Sequence, residues 1–288
     1  MGTRKQQAKQ TRRERRAAKE AAREEARRAE RRQQRITLAV IAGILLLGGA
    51  LIGFTIYEQR QEEAEARAEQ EELLAEIEEQ EEAVADRPVA CGAEAPAGAG
   101  DEREPYDEAP PDVLDEGADY RATIETSCGE LVIDLDAEAA PETVNAFVFL
   151  AEDGFYDGRE VFRHDESLEV LQAGSPNDAL DGDVGFELPS ETARAEEEGY
   201  PSGSVALASF GGPDSGGSQF FLVYGEAFEE LAGQQDELMF TNFGEVVDGR
   251  EVLDEIVDLG AIGELLAPDG PAPAERVYIE SVSVEGAD

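Results

Sequence analysis

Residues 119–288 predict a mainly β fold, a closed antiparallel barrel capped by two helices. Three observations carry this. Short apolar runs with strand alternation recur between glycine turns, only two stretches show helical spacing, and the segment opens as a tight hairpin. The chain has 288 residues, and these last 170 are the only part able to bury a sizeable core.

The hairpin comes first: YRATIET alternates, SCGE turns, and LVIDLD alternates again. APETVNAFVFLAEDG reads as the first helix, with Pro141 in its opening turn, Ala146, Phe147 and Leu150 at helical spacing, and Gly154 as its stop. Short strands follow in VFR, VLQAG, SVALAS, QFFLVY and FTNFGEVV. REVLDEIVDL is the second helix, and RVYIESVSV the closing strand.

Composition divides what precedes the barrel. Residues 1–35 hold 14 of the chain's 24 Lys+Arg and 5 of its 67 Asp+Glu, a net of +9, which leaves 10 and 62, a net of −52, for the rest. They form a basic tail, a charged helix or a disordered segment near anionic lipid. Residues 36–57, ITLAVIAGILLLGGALIGFTIY, carry no charge over 22 positions, enough to cross a hydrocarbon core of about 30 Å. A cleaved signal peptide is the rival reading, but its apolar region would be shorter and end in small residues. With the basic flank first, the N-terminus is expected in the cytoplasm and the remainder outside a cell membrane, anchored by a single transmembrane helix. Residues 58–85 are strong helix formers and predict an acidic helical stalk; Leu73, Leu74, Ile77 and Val84 make a thin apolar seam on it. Residues 86–118, rich in Pro, Gly, Ala and acids, have the composition of a flexible linker.

The outer acidity argues against nucleic acid as a partner. Carboxylate excess without any lysine after Lys19 resembles proteins adapted to high salt. Cys91 and Cys128 are the only cysteines. Exported, they can pair and tie the linker to the domain, and neither has a nearby histidine to make it a nucleophile.

Most classical catalytic machinery is missing from the sequence. His164 is the only histidine, and no CxxC, HExxH or phosphate-cradling glycine loop occurs. Carboxylate pairs are too abundant for any one to be informative.

The motif order, however, resembles a known family. TIETSCGELVIDLDAEAAPETVNAFVFLAEDGFYDG, VLQAGSP, GSVALASF, PDSGGSQFFLVYGE and FGEVVDGREVLDEI follow one another as in cyclophilin-type peptidyl-prolyl cis-trans isomerases, over about residues 120–284. The anchor, linker and cysteine placement are similar to the membrane-bound cyclophilins of actinobacteria. The resemblance implies a cyclophilin-like barrel and an isomerase needing no cofactor or metal. Its substrates would be proline-containing segments of exported or membrane proteins, and the lipid bilayer would be a partner through residues 36–57.

Carried over residue by residue, the resemblance implies Arg163 as the catalytic arginine and Gln172 as the glutamine supporting it. Gln219 and Phe221 match the substrate-binding positions of GSQFF, with Phe221 as the pocket floor. Ala208, Val170, Leu231 and Phe240 fall at other wall positions, and Ser209 stands where a larger polar residue is common. Glu169 replaces a pocket aromatic. A one-residue gap would instead put His164 at the arginine's position. Phe220 is expected in the core, because strand alternation turns it away from Phe221's face. A catalytically weak or inactive peptide-binding module on the same barrel is the alternative, favoured by the altered FRHDESLE segment.

Overall fold

The computed structural model describes residues 3–115, 117–209, 212, 214–232, 240–263 and 270–287. Met1, Gly2 and Asp288, at the ends of the expected tail and domain, lie outside them. The chain divides into two units, Met1–Leu74 and Ala75–Asp288.

The first unit is helical. Helix α1 (Thr3–Ala85) contains the uncharged run 36–57, whose Leu38, Leu45 and Leu46 are exposed. It is long and apolar enough to cross a membrane.

The second unit holds an eight-stranded antiparallel sheet in the order β10-β1-β2-β7-β5-β6-β4-β3. The strands are β1 (Asp119–Thr126), β2 (Gly129–Leu135), β3 (Arg163–Asp165), β4 (Val170–Ala173), β5 (Ser204–Ser209), β6 (Gly216–Val223), β7 (Asn242–Asp248) and β10 (Ile279–Ala287). β8 (Ala261–Ile262) and β9 (Ala272–Pro273) pair separately. β1 and β2 form the predicted hairpin, with Gly129 at φ +134° in its turn. The ladder order is linear, so the expected closed barrel is a curled sheet with β3 and β10 at its ends. Backbone bonds cross that gap: Gly158 N–H to Ile279 O, 2.8 Å; Val161 N–H to Val277 O, 2.8 Å; Ile279 N–H to Arg159 O, 2.7 Å.

The expected helices are α2 (Pro141–Glu152) and α5 (Arg250–Asp258). The structure adds two single-turn helices, α3 (Ala193–Glu198) and α4 (Ala227–Ala232). α2 packs on β10 and β6, and α5 on β2. Alternation sorts the side chains of β4, β5 and β6 into two clusters. Leu171, Val205, Leu207, Phe220 and Leu222 join the main core with Phe147 and Phe243. Val170, Ala206, Ala208, Phe221 and Val223 face the other way, with Tyr200 and Phe228. The Phe220–Phe221 pair thus supplies one ring to each face.

One expectation is corrected. Residues 86–118 were expected as a flexible linker, yet much of this segment is bound to the domain as an arm. Ala90 is fully buried, its N–H donates to Arg276 O at 2.9 Å, and Tyr106 N–H donates to Val184 O at 2.8 Å. Cys91 and Cys128 form a disulfide. Composition missed this because the arm is fastened by a few scattered apolar residues, Ala90, Tyr106, Val113 and Leu114, and by arginine hydrogen bonds, with no periodic apolar pattern to mark it.

Candidate active site

Strand register assembles the site. Arg163 on β3 is the cross-strand partner of Gln172 on β4, Gln172 of Phe221 on β6, and Phe221 of Ala206 on β5. Directly paired residues share a face of the sheet. Arg163, Gln172, Phe221 and Ala206 therefore form one row, on the face opposite the main core.

A cavity of about 160 Å³ opens on this row, lined by Arg163, Leu168, Val170, Gln172, Ala208, Ser209, Phe221, Phe228, Leu231 and Phe240. Eight of the nine residues carried over from the family thus meet around one space. Gln219, the ninth, lines a neighbouring cavity with Asp181, Gly182 and Asp183, and Ala208 lines both. The ring of Phe221 meets Phe228 at 4.9 Å and Phe240 at 5.4 Å between centroids, and Phe228 meets Phe240 at 5.8 Å. Three mutually packed rings give a stiff apolar wall.

The polar edge is a chain of side-chain hydrogen bonds. Arg163 Nη1 donates to Gln172 Oε1 at 3.2 Å, and Gln172 Nε2 donates to Gln219 Oε1 at 2.9 Å. Gln219 Nε2 ends the chain on the carbonyls of Leu180 and Gly182, at 3.1 and 3.3 Å. Those carbonyls can only accept, which orients both amides and leaves Gln172 Oε1 to face the arginine. Arg163 Nη2 donates to Asp165 Oδ2 at 2.5 Å, and its buried Nε has no partner among the described residues.

Two residues missed by sequence reasoning line the cavity. Leu168 occupies the wall where Glu169 was expected to replace an aromatic. Glu169 instead sits at φ +55°, and its carboxylate accepts from Ala227 N–H at 2.7 Å, at the start of α4. Phe228 comes from α4 itself, a six-residue helix with no apolar repeat long enough to mark it.

His164 does not reach the cavity. Alternation along β3 turns it to the buried side, fully excluded from solvent. Its Nδ1 lies 3.2 Å from the Gly260 carbonyl and its Nε2 3.0 Å from the Tyr224 hydroxyl. The carbonyl can only accept, so the neutral ring carries its proton on Nδ1 and accepts from Tyr224. Burial lowers its pKa below the ordinary value, against the opposing pull of the Gly260 carbonyl, Glu166 and Asp165. The unfolded chain takes up this proton near pH 6.5 and the folded protein only at lower pH, so this residue's contribution to stability falls as pH drops below about 6.5. NMR titration of the single imidazole is expected to show a midpoint below 6.5. A midpoint at or above that value would contradict the buried, neutral arrangement.

The family model described as cyclophilin type peptidyl-prolyl cis-trans isomerase/CLD matches residues 121–284. The chain is 34% identical over 181 residues to a "Probable peptidyl-prolyl cis-trans isomerase B" of Mycobacterium tuberculosis, covering 58% of this chain and 55% of that one. The chain therefore spans about half the length of this curated relative. It is 35% identical over 137 residues to a Helicobacter pylori "Peptidyl-prolyl cis-trans isomerase", covering 47% of this chain and 78% of that one. A crystal structure of a Cryptosporidium parvum cyclophilin type peptidyl-prolyl cis-trans isomerase aligns with a TM-score of 0.48 at 21% identity, over 59% of this chain and 99% of that one.

Proposed function

The chain belongs to the cyclophilin-type peptidyl-prolyl cis-trans isomerase family, and from that premise we propose that its globular unit isomerises X–Pro bonds of exported proteins, tethered to a cell membrane by the apolar stretch of α1. The observation that carries the reading is the row Arg163–Gln172–Phe221, which sets a guanidinium beside an apolar cavity on one sheet face.

Rotation about an X–Pro bond meets a barrier of about 18–20 kcal/mol because twisting breaks amide resonance. A catalyst need only bind the twisted amide better than either planar form. Here Phe221, Phe228, Phe240, Leu231 and Val170 would hold the proline ring. Arg163 would donate to the substrate backbone, favouring the twisted amide, while Gln172 and Gln219 hold that donor in place before substrate arrives. No bond is broken, so no nucleophile, metal or cofactor is needed.

The outer location is supported by the basic flank before residue 36 and by the Cys91–Cys128 disulfide, which persists in oxidising compartments. Closure of the sheet into a full barrel belongs to the same proposal, supported by the hydrogen bonds between residues 158–161 and 277–279.

The test is cis-to-trans conversion of a short X–Pro peptide by the full chain in detergent, at low and at high salt because of the outer domain's acidity. Conversion is expected to accelerate in proportion to protein concentration. Folded protein with no acceleration at either salt would overturn the enzyme and leave a proline-peptide-binding module.

A further inference from the structure

Asp165 follows Arg163 by two positions on β3, so both side chains leave the same face of the strand. It is only 1% exposed, and a carboxylate that far from water needs its charge answered locally. Its two oxygens are committed separately. Oδ1 accepts from the Ser167 amide at 3.0 Å, the Ser167 hydroxyl at 2.6 Å and the Leu168 amide at 3.1 Å, closing the turn that carries Leu168 in the cavity wall. Oδ2 accepts from Arg163 Nη2 at 2.5 Å, while Gln172 takes Nη1 at 3.2 Å. The guanidinium is planar, so acceptors on both terminal nitrogens fix its rotation. Gly270 packs against the same group: a Cβ there would stand 3.2 Å from Arg163 Nε.

We propose that Asp165 is a positioning residue for Arg163, one carboxylate that fixes both the guanidinium plane and the Leu168 wall of the cavity. This deepens the isomerase reading and rests on it. A donor already fixed when substrate binds needs no reorganisation as the amide twists, which is where a charge-assisted hydrogen bond from a distant atom can act on rate.

The test uses Asp165→Asn in the full chain in detergent. Asparagine keeps an acceptor for the turn and removes the anionic partner of Nη2. kcat/KM toward an X–Pro peptide is expected to fall about tenfold or more. In the Arg163→Ala background the same substitution is expected to change nothing further, since a positioning residue has no effect once the positioned group is gone. An equal loss in both backgrounds means that Asp165 only supports the fold, and overturns the proposal. Ser167→Ala, which removes one bond of the turn and leaves the arginine pair, is expected to retain wild-type kcat/KM. If Asp165→Asn does not fold, guanidinium ¹⁵N NMR of the wild type decides: separate Nη signals for Arg163 are expected, and a single averaged signal overturns the proposal. The NMR result is independent of turnover. An inactive wild type with separate Nη signals would therefore overturn the isomerase reading while supporting the pinned arginine.

Discussion

Arg163→Ala is expected to lower kcat/KM toward an X–Pro peptide by about 10²–10³-fold, the usual cost of removing one fixed donor from a site where charge develops. The side chain is 18% exposed, lines the cavity and has a neighbour on each terminal nitrogen. Its loss leaves Asp165 Oδ2 without that donor, but Oδ1 keeps three others. The stability cost is therefore expected near the 1–3 kcal/mol of an unmade buried hydrogen bond, below the cost of stranding an unassisted charge. Circular dichroism and a denaturation curve separate that loss from the kinetic one. Arg163→Lys is expected to fall between wild type and alanine, because an ammonium keeps the charge and loses the planar fork. Activity within twofold of wild type in Arg163→Ala would remove the arginine from the mechanism. The role could not then pass to His164, whose two ring nitrogens are taken by Gly260 and Tyr224 on the other side of β3.

The sequence made the site legible where strand alternation governs it. SVALAS and GSQFF place Ala208 and Phe221 on one face and Leu207 and Phe220 on the other, and the core clusters divide the same way. Alternation also separates Arg163 from His164 once β3 begins at residue 163, two positions after the VFR run was expected to start. Before that start, residues 158–161 bond to Val277 and to Ile279 at the head of β10, a contact about 120 residues away along the chain that no local pattern carries. Leu168 was invisible for a related reason: an Asp165 side-chain turn, with no glycine or proline to signal it, displaces Glu169 from the wall. The arm was misread because Pro, Gly, Ala and acidic residues have the same composition whether a segment is free or bound by other residues' side chains.

Arg159→Met tests that binding and is expected to destabilise the protein by about 3–5 kcal/mol, lowering its unfolding midpoint by about 10 °C. Arg159 is fully buried. Its Nη2 donates to two carbonyls of the arm, Asp101 at 2.5 Å and Gly98 at 3.3 Å, and its Nη1 donates to Pro176 O at 2.9 Å and lies 3.3 Å from Asp178. Burial pulls its pKa down and Asp178 pulls it back up, the balance of a charge removed from water beside a counter-ion. Methionine fills similar volume but leaves Asp178, whose side chain is 13% exposed, without its cation and the arm carbonyls without this donor. Arg121→Met is the control, because Arg121 pairs with Asp134 at 2.6 Å with both side chains about half exposed. It is expected to leave the midpoint where it was. Limited proteolysis of Arg159→Met should cut the arm between residues 95 and 110 at a protease dose the wild type resists. Equal midpoints for wild type and Arg159→Met would mean the arm is held without the arginine. The expected result would explain how the lysine-free chain after residue 35, with a net charge of −52, uses its few cations. One ammonium cannot span four separate acceptors, whereas one guanidinium fork here reaches three carbonyls and a carboxylate.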